Sequence, residues 1–169
     1  MNKLQFKIEQ IALCPRHPER AIALLSKLGL EDWARDHVVA SGQVFGAGGT
    51  NEADLAFNYQ SDRNISNHGE VHAPMGALEL EVLNYTNGNN WMAHRPRRAS
   101  HLGMHVTADQ LAEFRAFFDS EGIAVAQEVF TDSHTNPHIK DSRRYNYVIF
   151  DTFEILGIDL KFIVRINID

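Results

Sequence analysis

Twice along the chain the apolar positions fall two apart and then widen to three or four apart. Ile11 and Leu13 alternate with Gln10 and Ala12, and from about Pro18 to Leu28 the spacing becomes that of an amphipathic helix ending at Gly29. Leu102, Met104 and Val106 alternate with His101, Gly103 and His105, and a second helical stretch runs from Ala108 to Ser120 before Gly122. A period of two that gives way to one near 3.6 predicts a strand followed by a helix. The two units, Phe6 to Leu30 and Ala99 to Ile123, are of nearly equal length, so the chain reads as an internal repeat.

Three further strands are expected behind each helix. In the first half these are Asp36 to Phe45, then Ala53 to Gln60 with Leu55, Phe57 and Tyr59 on one face, then Ala77 to Asn84 with Glu79, Glu81 and Leu83 opposite Leu78, Leu80 and Val82. The glycine-rich run Gly46 to Asn51 is expected as the turn between the first two, and the polar stretch Ser61 to Gly76 as a long loop. In the second half the strands are Val125 to Phe130, Arg144 to Asp151 and Gly157 to Ile166, with Thr131 to Asp141 as a loop. The last has Ile158, Leu160, Phe162 and Val164 on one face and Asp159, Lys161, Ile163 and Arg165 on the other. The expected class is therefore α+β, built from two βαβββ units: residues 1–86, a linker at 87–99 containing Asn87-Gly88 and Arg95-Pro96, and residues 100–169.

Composition narrows the function classes. The 169 residues are 44% hydrophobic and 22% charged, as in an ordinary globular protein. No stretch approaches the roughly 20 apolar residues that span a bilayer, and the first residues lack the apolar run of a signal peptide. A cytoplasmic protein without membrane contact is expected. A formal net charge of −6 argues against nucleic acid as a partner, and the cluster Arg95, Arg97 and Arg98 is too short to overturn that. Cys14 is the single cysteine, which excludes an intramolecular disulfide and a thiolate zinc site. Nine histidines make imidazole ligation worth attention.

The order βαβββ twice, with Gln10, Glu81, His101 and Asp159 on the first and last strands of the halves, resembles the vicinal oxygen chelate superfamily. Its members include glyoxalase I, extradiol dioxygenases and bleomycin-resistance proteins. The resemblance is carried by Ile8-Glu9-Gln10-Ile11-Ala12-Leu13, Leu80-Glu81-Val82-Leu83-Asn84, Ser100-His101-Leu102-Gly103-Met104-His105-Val106 and Gly157-Ile158-Asp159-Leu160-Lys161. It implies that each unit curls its sheet into half a barrel around a shared cavity. It also implies that Gln10, Glu81, His101 and Asp159 hold one divalent ion, and that a homodimer forms. Asp159 stands where the family usually has Glu, and Glu79 shares the face of Glu81, so a shift of two residues would exchange them as ligands.

One imidazole, one amide oxygen and two carboxylates would suit Zn²⁺, Ni²⁺, Co²⁺, Mn²⁺ or Fe²⁺ and leave positions open for a substrate. The expected activity is that of a glyoxalase-type lyase or isomerase, in which the ion stabilises an enediolate and Glu81 or Asp159 moves the proton. His105, Arg143, Tyr145 and Tyr147 are the expected contacts to a small oxygenated substrate, with His134 and His138 on the preceding loop. Two other outcomes stay open. One is a binding or sequestration protein that works without a metal, and the other is an Fe²⁺ extradiol dioxygenase.

Overall fold

The computed structural model describes residues 4–59, 78–95, 100–131 and 143–168. The expected loops at Ser61 to Gly76 and Thr131 to Asp141 fall almost wholly outside these, as do Arg97, Arg98, His134 and His138. The elements run β1 (Gln10–Leu13), α1 (Pro18–Lys27), β2 (Ala34–Val44), β3 (Ala47–Tyr59), β4 (Glu79–Gly88), a short 3-10 helix (Trp91–His94), β5 (His101–His105), α2 (Ala108–Ser120), β6 (Val125–Thr131), β7 (Arg143–Phe150), α3 (Phe153–Leu156) and β8 (Asp159–Asn167). The class is α+β, as expected, with the strands joined in one mixed sheet.

That sheet closes into a barrel in the order β1-β4-β3-β2-β6-β7-β8-β5. β1 lies parallel to β4 and β5 parallel to β8, while the remaining neighbours are antiparallel. Closure comes from two seams. At one, β1 pairs with β5 through Gln10, Ile11 and Ala12; at the other, β2 pairs with β6 from Ala40 to Val44. The sheet is thus closed on both sides, and no edge among the described strands is left to pair with another chain.

The two longer helices, α1 and α2, lie outside the barrel. α1 starts at Pro18, whose missing N–H costs nothing in the first turn, and rests Ile22 and Leu25 on Ala56 and Val82. α2 is opened by a reciprocal capping box between Thr107 and Gln110. Its Leu111, Phe114 and Phe118 cover Met104, Val148, Phe150, Phe162 and Val164, one face of β5, β7 and β8. The opposite faces point into the barrel, where Leu55, Phe57, Leu83, Trp91 and Ile149 form a separate core. An eight-stranded barrel is just wide enough for side chains to fill.

Two expectations about connections change. The run Ala47 to Asn51 is strand, paired with β2 residue by residue, and the reversal is only Phe45 and Gly46, at φ 46° and 78°. Two consecutive positive φ values are what a tight two-residue hairpin needs, so the glycines that follow are left free to extend. The expected linker is likewise more than a tether: its Trp91 is 0% exposed and plugs the barrel interior, in one core cluster with Leu55, Leu83 and Ile149.

Candidate functional site

The inward faces of β1, β4, β5 and β8 carry a buried polar cluster. Gln10, Glu79, Glu81, His101, Asp159 and Lys161 are each 5% exposed or less. Strand register explains why they meet. On the parallel pair of the first half, Gln10 sits beside Glu79 and Ala12 beside Glu81; on that of the second half, His101 sits beside Asp159 and Gly103 beside Lys161. Gln10 therefore corresponds to His101, Glu79 to Asp159, and Glu81 to Lys161.

Four of these groups form a closed set of hydrogen bonds. His101 Nε2 lies 2.9 Å from Gln10 Oε1 and 3.0 Å from Glu81 Oε2. Lys161 Nζ lies 3.2 Å from the same amide oxygen and 3.5 Å from the same carboxylate oxygen. Two donors thus bridge two acceptors, which assigns the imidazole proton to Nε2. The Gln10 amide N–H donates in turn to Glu79 Oε1. Gln10 reaches across because its neighbour on β5 is Gly103, where an added Cβ would lie 2.8 Å from Gln10 Oε1.

Burial and charge set the protonation of the cluster. Burial pushes the Glu81 carboxyl up, but the Lys161 ammonium and the His101 hydrogen bond outweigh it and hold the group at about 2. Burial, with repulsion from Glu81, pushes Glu79 up to about 7 against the Gln10 hydrogen bond and the attraction of Lys161. His101 is pushed below the usual imidazole range by burial and by Lys161, against the pull of Glu81. The cluster near neutral pH therefore holds an anionic Glu81 against a cationic Lys161, with a neutral imidazole between them.

Asp159 is held by other partners. Arg95 donates from Nε to its Oδ2 at 3.0 Å and from Nη2 to its Oδ1 at 2.8 Å, and Trp91 Nε1 donates to Oδ2 at 2.9 Å. The same Nη2 reaches Asp151 at 2.8 Å, and the guanidinium lies against the rings of Phe45 and Phe153. Asp159 thus anchors the segment that plugs the barrel.

Among the expected substrate contacts, Tyr147 borders the interior and its ring centre lies 4.5 Å from Lys161 Nζ. Tyr145 stacks on Tyr147 at 5.9 Å between centroids. Arg143 is buried at the start of β7. His105 bonds to Glu9, whose carboxylate also accepts from the His105 backbone N–H. Lys161, Trp91, Arg95 and Gln127 are not among the site residues expected from the sequence, although Lys161 shares its face with Asp159. The buried Gln127 accepts from the Trp91 backbone N–H and donates to Tyr85.

A cavity of about 30 Å³ lies beside the cluster, lined by Glu81, His101 and Lys161 at its polar part and by residues such as Leu55, Leu83 and Ile149 elsewhere. It has room for a water or a group of similar size. His101 Nδ1, which carries a lone pair, is among the buried polar atoms without a hydrogen-bond partner among the described residues, as are Tyr59 Oη and Asn146 Oδ1.

As arranged, these residues do not suit a resident divalent ion. The position corresponding to Glu81 holds an ammonium, His101 turns its N–H rather than its lone pair toward the acceptors, and Asp159 is committed to Arg95. A ligating histidine normally donates its second N–H to an acceptor, and His101 Nδ1 has no partner among the described residues. Among those residues no three His, Cys, Asp or Glu side chains gather at one point. No helix among them is long and apolar enough to cross a membrane. No family model matches the chain, and no match to it was found among curated proteins.

Proposed function

We propose that this chain is a barrel of the vicinal oxygen chelate kind that binds a small oxygenated molecule without a resident divalent ion. The observation that carries this reading is the Lys161 ammonium, 3.5 Å from Glu81 and 3.2 Å from Gln10. It supplies at that position the positive charge that an ion would otherwise provide. The kinship is supported by strand order, since β1-β4-β3-β2 is answered by β5-β8-β7-β6 around the barrel. On this reading each half is a βαβββ unit, and the protein is cytoplasmic and dimeric.

The ligand is a small molecule with adjacent oxygens and little bulk. A cavity of about 30 Å³ excludes a drug-sized ligand, which needs several hundred Å³, and has to widen to admit even a small molecule with adjacent oxygens. His101 Nδ1 would accept a ligand hydroxyl, and Lys161 would face a carbonyl or carboxylate oxygen.

The lyase or isomerase reading retains one observation in its favour. Glu79, held at about 7, is a carboxyl able to take and release a proton near neutral pH. Chemistry of that kind would use the carboxyl pair and the neutral imidazole.

Fluorescence tests the binding reading, because Trp33 and Trp91 are the two tryptophans and Trp91 borders the cavity. In a Trp33→Phe background, small 2-hydroxy acids and hydroxyketones are titrated while Trp91 emission is followed. Saturable quenching that Lys161→Met abolishes is the expected result. A flat response across the panel would sink the reading.

A further inference from the structure

We propose that Lys161 is a built-in cation standing in the place of a divalent ion, and that its removal converts the Gln10, Glu81 and His101 cluster into a divalent-cation site. This rests on the metal-free reading above and extends it to what the cluster becomes once its own cation is taken away.

The geometry carries the inference. Gln10 Oε1 and Glu81 Oε2 both face His101 Nε2, at 2.9 and 3.0 Å, and both face Lys161 Nζ, at 3.2 and 3.5 Å. An amide oxygen, a carboxylate and an imidazole are the donor types that borderline divalent ions take. They are delivered by three different strands, and the fourth strand of the ring delivers the ammonium at the register position corresponding to Glu81. The Lys161 side chain is 6% exposed and Glu81 is 1% exposed, so the pair is screened by protein rather than by solvent. A dication entering beside that ammonium meets a like charge at close range in a medium of low dielectric.

The flanking residues do not offer a competing explanation. Asp159, the other acidic group on the inward face of β8, is neutralised by Arg95 at 2.8 Å. Glu79 takes its hydrogen bond from Gln10, on the side of the amide away from Lys161. Glu81 is therefore the anion that Lys161 serves, and it is the anion left unserved when Lys161 is removed.

The experiment uses the full chain, stripped with chelator, and titrates Co²⁺ and Zn²⁺ by calorimetry, with the visible absorption of Co²⁺ as a signature of its ligands. Wild type is compared with Lys161→Glu, which restores a carboxylate, and with Lys161→Ala, which only removes the charge. Each variant is also made with Glu81→Gln, to separate the cluster from surface histidines. Expected is one ion per chain in the Lys161 variants, about a thousandfold tighter than in wild type. That gain should be lost with Glu81→Gln and accompanied by a rise in melting temperature on adding metal.

If Lys161→Glu does not fold without metal, Lys161→Ala carries the same test. No tighter binding in either variant than in wild type would overturn this inference alone. One ion per chain in wild type, lost on Glu81→Gln, would overturn both this inference and the metal-free reading.

Discussion

The inward faces of β4 and β8 occupy corresponding places in the barrel and treat charge in opposite ways. On β4 the pair is Glu79 and Glu81, two carboxyls on one face, of which Glu81 has a cation in contact. On β8 the pair is Asp159 and Lys161, an anion and a cation, and Asp159 has its own guanidinium in Arg95. Two carboxyl pairs facing each other would concentrate negative charge in a dry interior and call for an external cation to offset it. Here the opposition of Glu81 to Lys161 neutralises the interior from within the chain. The difference shows that corresponding positions can share a backbone geometry while one carries two carboxyls and the other an anion and a cation.

The largest expected effect lies on the β8 side. Arg95→Ala leaves Asp159, 0% exposed, with Trp91 as its remaining donor among the contacts described above, and it also removes the pairing with Asp151. A loss of about 3–5 kcal/mol is expected in denaturant unfolding. A loss below 1 kcal/mol would mean that the barrel plug does not depend on that ion pair.

The β4 side is sharpened by pH. Glu79 ionises from 4.5 in the unfolded chain and at about 7 in the folded one, so its contribution is complete below pH 4.5 and is lost as pH rises through about 7. Glu81 behaves oppositely: its contribution is present above 4.5 and is lost as pH falls toward about 2. Glu79→Gln should therefore flatten the stability profile between pH 4.5 and 7, removing a slope worth roughly 3 kcal/mol, without changing the acid limb. An unchanged profile would place the Glu79 proton elsewhere.

A smaller effect is expected where the two halves meet. In Gly103→Ala the added methyl would lie 2.8 Å from Gln10 Oε1 and 3.0 Å from Gln10 Cβ, so the amide must swing away from His101 and Lys161. The cost should be about 1–2 kcal/mol, since strain is partly offset by the better strand propensity of Ala. It should also bring the His101 imidazole resonance to a different titration midpoint in NMR. An unshifted resonance would show that Gln10 does not hold the ring.

Much of this arrangement could be read from alternation along the strands. Polar residues interrupting apolar strands marked Gln10, Glu81 and His101, and these do meet. Alternation has a period of two, however, and Asp159 and Lys161 are two residues apart on one face. Which of them faces Glu81 is settled by how β5 lies beside β8, and that register is a property of two strands together. Trp91 and Arg95 were hidden for a different reason. They sit in a connector with no periodicity, and their burial follows from contacts made only in the fold, Trp91 with the barrel core and Arg95 with Asp159. The hairpin at Phe45 and Gly46 precedes the glycine cluster that predicts a turn, because glycine supports an extended strand as well as a turn.

The central claim is that Lys161 is the counter-ion of Glu81 inside the barrel, and a double-mutant cycle tests it most directly. Glu81→Gln and Lys161→Met are measured singly and together by urea unfolding at pH 7. Each single change leaves one buried charge without its partner and should cost about 3–5 kcal/mol. The double variant, which buries a neutral pair, should recover about 2–3 kcal/mol of the summed loss as coupling. Strictly additive losses would contradict the account, because the two charges would then not be holding each other.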